Sequence, residues 1–182
     1  KFNNSKTFTF TETVGSTVVG TYIVGATHSQ SDVVDLTVSE ITDMNVTSSI
    51  GIATDSVVLP LVNIAMGSDI NIDTTAPSVS ILRFDPTQEN IGIEVIAVTF
   101  RLVFNEIAKN VTSTDLVKQQ GGALGTIGNV TDVSGKTFTV FVGGVSSLGI
   151  LGLDFVESGD IADSYGNFFV GDIILEETYT IS

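Results

Sequence analysis

From Ile96 to Phe104 every second residue is apolar: Ile96, Val98, Phe100, Leu102 and Phe104. A period of two places those side chains on one face of an extended strand, the face that enters a core. The run predicts the longest strand of the chain, over Ile93–Phe104. Shorter alternations surround it, at Lys6–Phe10, Val18–Val24, Asp32–Ile41, Val79–Phe84, Thr137–Val142, Leu148–Val156 and Tyr179–Ile181. The glycine-bearing stretch Ala123–Val130 reads as an edge strand. Turn signals separate these runs, among them Asp85-Pro86-Thr87, Ser134-Gly135 and Asp160–Asn167. No helical period is sustained. Short strands between frequent turns predict an all-β protein built as β-sandwiches.

Asp73-Thr74-Thr75-Ala76-Pro77 divides the strands into two groups. Proline has a fixed φ and no N–H, so it suits the start of a strand and biases Ala76 toward extended backbone. The stretch reads as a short extended link, stiffer than a Gly/Ser linker. The groups on either side share a pattern. Lys6-Thr7-Phe8-Thr9-Phe10 matches Lys136-Thr137-Phe138-Thr139-Val140, Glu40–Asp43 matches Asp160–Asp163, and Ile70–Asp73 matches Tyr179–Ser182. Only five residues precede Lys6, so counterparts of the strands at Val79–Phe84 and Ile93–Phe104 are missing from the first group. A sandwich without them exposes apolar faces and open edges. Two readings follow: upstream sequence of a longer repeat protein supplies the strands, or a neighbouring subunit donates them by strand addition.

Composition narrows the function. With 21 acidic against 7 basic residues the net charge is −14, which repels nucleic acid and anionic lipid and attracts divalent cations. Cysteine is absent, which removes disulfides, thiolate nucleophiles and cysteine metal sites. No apolar run is long enough to predict a membrane-spanning helix, and no signal-peptide pattern opens the sequence. The one histidine, His28, lies among Ser29, Ser31, Asp32 and Asp35, but adjacent residues in a loop, with no nucleophile elbow, do not make a triad. The acidic pairs Asp154/Glu157 and Glu176/Glu177 come with no tryptophan platform for sugar hydrolysis. Gly121–Gly125 lacks the Lys-Ser/Thr of a phosphate-binding loop. The expectation is a non-enzymatic protein. Four sequons occur, at Asn3, Asn45, Asn110 and Asn129; Asn45, Asn110 and Asn129 are candidate glycosylation sites, or ordinary turn and strand residues.

Three motifs, taken in order, carry a resemblance. They are Asp73-Thr74-Thr75-Ala76-Pro77 before a strand, Phe104-Asn105-Glu106 followed by Asp115-Leu116, and Asp163-Ser164-Tyr165-Gly166-Asn167. Together they resemble the bacterial Ig-like repeats of large surface adhesins and related secreted proteins. Asn105 stands where that pattern has Ser or Thr, and Asp43–Val46 is a degraded copy of the third motif. The resemblance covers 73–182, and for 1–72 only the end of a repeat. It implies tandem Ig-like β-sandwiches, with 1–73 the C-terminal part of one repeat, incomplete in this chain, and 74–182 a complete one. It implies an extracellular or cell-surface location, and a role as spacer or assembly module of a stalk, filament or surface layer. The partners implied are neighbouring repeats and other copies of the same protein, without nucleic acid or membrane insertion. Calcium at a domain junction is a further implication, with Asp73, Glu106, Asp163 and Asn167 as its ligands; a hydrogen-bonded turn with Gly166 at positive φ is the other reading of the last two. The alternatives are an adhesin module that holds a glycan or protein in loops near Tyr165, Phe168 and Phe169, and a fibre subunit completed by strand exchange.

Overall fold

The computed structural model describes residues 10–14, 17–20, 23, 25, 71–119, 122–157 and 159–182. Residues 1–75 and 76–182 form separate units. Of the first unit, β1 (Phe10–Val14) and β2 (Thr17–Gly20) form an antiparallel hairpin, with an irregularity between Phe10 and Glu12. The strands expected at Asp32–Ile41 and beyond, His28, Asn45 and the degraded third motif lie outside the described residues.

The second unit is all β apart from one 3-10 turn at Ser113–Asp115. Its strands are β3 (Val79–Asp85), β4 (Asn90–Ile91), β5 (Ala97–Phe104), β6 (Leu116–Lys118), β7 (Thr126–Asp132), β8 (Thr137–Gly143), β9 (Gly149–Leu151), β10 (Leu153–Phe155), β11 (Ile173–Glu176) and β12 (Tyr179–Ile181). Five of them form one sheet in the order β11-β3-β5-β8-β7; β4-β12-β9 and β10-β6 form two smaller sheets. Among the described residues no helix is long and apolar enough to cross a membrane.

The alternation on β5 decides how the large sheet packs. Val98, Phe100, Leu102 and Phe104 are buried, and the residues between them are half-exposed. The register with β3 and β8 extends that inward face to Val79, Ile81, Phe138, Val140 and Val142. Leu151, Leu153, Tyr179 and Ile181 of the smaller sheets enter the same core cluster. Each such side chain contributes roughly 1.5–3 kcal/mol by leaving water. Ile96 departs from expectation. It is 70% exposed, because a turn closed by the Val95 N–H to Gly92 O (3.0 Å) delays the strand until Ala97.

Two further differences have local causes. The strand expected over Leu148–Val156 divides at Gly152. There β9, paired with β12, gives way to β10, paired with β6, and the Gly152 carbonyl accepts the Gln119 N–H at 3.1 Å. β11 is not legible as alternation because only its first residue is half-buried. Backbone pairing to β3 holds it, in parallel.

Tyr179 joins the layers. Its ring meets Phe100 edge-on at 5.0 Å. Its hydroxyl hydrogen is shared between Pro86 O (2.7 Å) and Thr99 O (3.0 Å), and its oxygen accepts the Phe84 N–H (3.3 Å). Burial pushes its pKa up to about 12.

Candidate functional site

The loop after Ile161 begins where Ala162 bridges both Lys109 and Phe168. Asp163 then organises the turn. Its Oδ1 accepts the N–H groups of Tyr165 (2.7 Å) and Asn167 (2.9 Å), and its Oδ2 accepts Asn167 Nδ2 (2.7 Å). The Asp163 N–H closes the loop on Asn167 O at 3.1 Å. Gly166 has φ 91°, a left-handed conformation that a side chain disfavours. Asp163 is only 2% exposed. Burial pushes its carboxyl pKa up, but the bonds from the Asn167 side chain and from the backbone of Asn167, Tyr165 and Gly166 outweigh that, and the net value lies below the usual carboxylate range.

Glu106 follows β5 directly, in the loop before the Lys109 bridge. Asp73 lies in the segment that runs into β3, where its Oδ1 accepts the Thr75 N–H at 2.9 Å. Within the second unit, carboxylate oxygens of Glu106 and Asp163 lie within 4.8 Å of each other. Unit charges at that separation repel by on the order of 3 kcal/mol per pair at an effective dielectric near 20. A hard divalent cation relieves such repulsion, and an all-oxygen donor set without sulfur or imidazole suits calcium. Of the other two expected ligands, Asp73 belongs to the first unit, and Asn167 turns its amide nitrogen to Asp163.

The remaining candidates separate on contact. Asn110 is exposed at φ 62° and donates Nδ2 to Asp160 O at 3.2 Å. Asn129 is exposed on β7, at an outer position in the sheet order and within the register shift between Ile127 and Val130. Tyr165 and Phe168 are 46% and 61% exposed. Phe169 is not exposed like them: it packs on the core against Phe155 (4.7 Å) and Phe104 (6.0 Å). Of the acidic pairs, Glu177 faces Arg83 and Glu176 accepts from Gln119. Gly122 sits so close to β9 that a Cβ there would lie 2.0 Å from Ile150 O, a steric reason for glycine at this position.

One group was invisible to motif reading. Arg101, on the solvent side of β5, lies 3.9 Å from the centre of the Phe84 ring. The β3–β5 register, not sequence spacing, brings them together.

No protein-family model, no curated protein and no solved structure matches the chain.

Proposed function

We propose that this chain is a structural segment of a large extracellular or cell-surface repeat protein, made of Ig-like β-sandwiches in tandem and acting as spacer or assembly module without enzymatic activity. The observation that carries this reading is the meeting of Glu106 and Asp163, from two motifs of the resemblance, within 4.8 Å. The layered all-β unit with one shared core supports the sandwich. In this reading Glu106 and Asp163 hold calcium, and Asn167 holds Asp163 in place. Bound calcium ties the loop after β5 to the loop before β11, and in tandem arrays contacts between repeats set stiffness.

The test is thermal unfolding of the full chain with calcium and with chelator, beside calorimetric titration. The expected result is a higher melting temperature with calcium. Equal melts and no heat of binding remove the metal from the proposal.

A glycan- or protein-binding adhesin module is the second reading. The exposed rings of Tyr165 and Phe168, flanking Gly166 in the same loop, favour it. Binding to a glycan array that Tyr165→Ala and Phe168→Ala abolish would select it over the spacer.

A further inference from the structure

Asp85, Thr99 and Phe141 are register partners on three adjacent strands, β3, β5 and β8. Thr99 alternates with the buried Val98 and Phe100, so the row runs along the outer face of the large sheet. A cleft of about 330 Å³ opens over this row and is lined also by Pro86, Val95 and Ala97. Its walls are preformed. The Tyr179 hydroxyl, reaching out from the core, meets Pro86 O (2.7 Å) and Thr99 O (3.0 Å) and so ties two lining segments together. The Phe141 ring lies against Gly143 and Gly128, where an added Cβ would stand 2.9 Å and 3.0 Å from it. The missing side chains give the ring its seat. Arg101, two residues along β5 from Thr99, is stacked on Phe84 at 3.9 Å and lies outside the lining.

We infer that this cleft binds a primary ammonium carried on an apolar stem, the chemistry shared by small alkylamines and the lysine side chain. Charge, lining and length choose that class together. Asp85, exposed at one end of the row, is the charged group among the described lining residues. The rest of the lining is apolar apart from Thr99. A hydrated inorganic cation gains nothing from such walls, because it seeks further oxygen ligands. An anion or a fatty acid meets the Asp85 carboxylate. Two strand spacings, roughly 10 Å, separate Asp85 from Phe141, so an ammonium on the carboxylate leaves a stem of about four carbons lying over Thr99 toward the ring. The volume is at the small end for ligand sites and suits one such chain. The net charge of −14 raises the local concentration of every cation; the apolar lining selects among them. The inference goes beyond the spacer reading and does not rest on it.

Titration of the full chain with n-butylammonium, read by amide NMR shifts and by calorimetry, tests it. The expected result is saturable binding with shifts centred on Asp85, Ala97, Thr99 and Phe141. It is expected to be about tenfold tighter than binding of methylammonium, which lacks the stem, and of n-butanol, which lacks the charge. Asp85→Asn is expected to weaken n-butylammonium about tenfold and to leave n-butanol unchanged. Phe141→Ala is expected to bring n-butylammonium down toward methylammonium. Glu157→Gln, at an exposed carboxylate outside the lining, is expected to change nothing. Because Phe141→Ala risks local refolding, the isosteric Asp85→Asn gives an independent reading. Nα-acetyl-lysine N-methylamide that binds as tightly as n-butylammonium assigns the site to a lysine side chain; its exclusion assigns the site to a free amine. Shifts spread over the acidic surface without saturation, or equal weakening by Asp85→Asn and Glu157→Gln, overturn the inference. Either result leaves the calcium response, and with it the spacer reading, untouched.

Discussion

Ser78 and Asn105 bind each other twice: the Ser78 N–H donates to Asn105 Oδ1 at 2.8 Å, and the Asn105 N–H donates to Ser78 O at 3.0 Å. The pair ties the residue after Pro77 to the end of β5. A serine at 105 has a shorter reach, which gives the asparagine a local reason. Asn105→Ala leaves the N–H of the buried Ser78 without its acceptor, at a cost of about 1–2 kcal/mol. For a unit of this size that lowers the melting temperature by roughly 4–8 °C per kcal/mol, read by calorimetry.

Asp163 sets an acid limit. Its folded-state pKa is lowered from 3.8, so the unfolded chain binds its proton more readily. The resulting stability is fully present above 3.8 and is lost as pH falls below that value through the folded pKa. Asp163→Asn exchanges an acceptor for a donor opposite Asn167 Nδ2, and at neutral pH it costs about 1–3 kcal/mol. Melts of both proteins across the acid range are expected to converge as the wild-type carboxyl protonates. A constant gap down to the lowest pH would disprove the linkage.

Tyr179 sets the alkaline one. A folded-state pKa of about 12 against an ordinary 10.0 means that the unfolded chain loses the proton first. Stability is full below 10 and falls as pH rises through the folded value. Tyr179→Phe removes that slope, and at neutral pH costs about 1–2 kcal/mol by leaving Pro86 O and Thr99 O without the hydroxyl. Tyr179→Ala also opens a cavity against Phe100, for about 3–5 kcal/mol.

Glu106→Gln separates repulsion from ligation. Without metal, removing one of two close charges is expected to leave the melting temperature unchanged or raise it. With calcium the same substitution is expected to shrink the metal-induced rise at least by half. A variant that responds to calcium like the wild type excludes Glu106 as a ligand.

The fold was readable where burial follows sequence period. Val98, Phe100, Leu102 and Phe104 alternate in the sequence as they do in the core. It was unreadable where backbone pairing alone makes the strand. β11 carries Ile174, Leu175 and Glu176 in the open, so its apolar letters say nothing about which face is buried. The break at Gly152 depends on a carbonyl that turns to Gln119, a contact between distant segments. At the candidate site, Glu106 and Asp163 were nameable from motif order, since each sits beside a strand end or turn with a marked sequence. Arg101 and Phe84 were not, because only a long-range register makes them neighbours. Phe168 and Phe169 look equivalent in sequence; the bridge between Ala162 and Phe168 and the packing of Phe169 on Phe155 send them to opposite sides.

The parallel pairing of β11 with β3 and of β12 with β4 has a mechanical meaning. β3 is the first strand of the second unit and β12 its last, and the closing segment runs alongside the opening one in the same direction. Tension applied to the two ends of such a unit pulls the paired strands past each other along their length. The bridging hydrogen bonds are then loaded together, in shear, where a hairpin pulled at its open end would peel apart one bond at a time. Resistance to rupture under load is set by the unfolding rate and not by equilibrium stability, so the loading of this short parallel clamp is a property that the melting temperature alone does not convey.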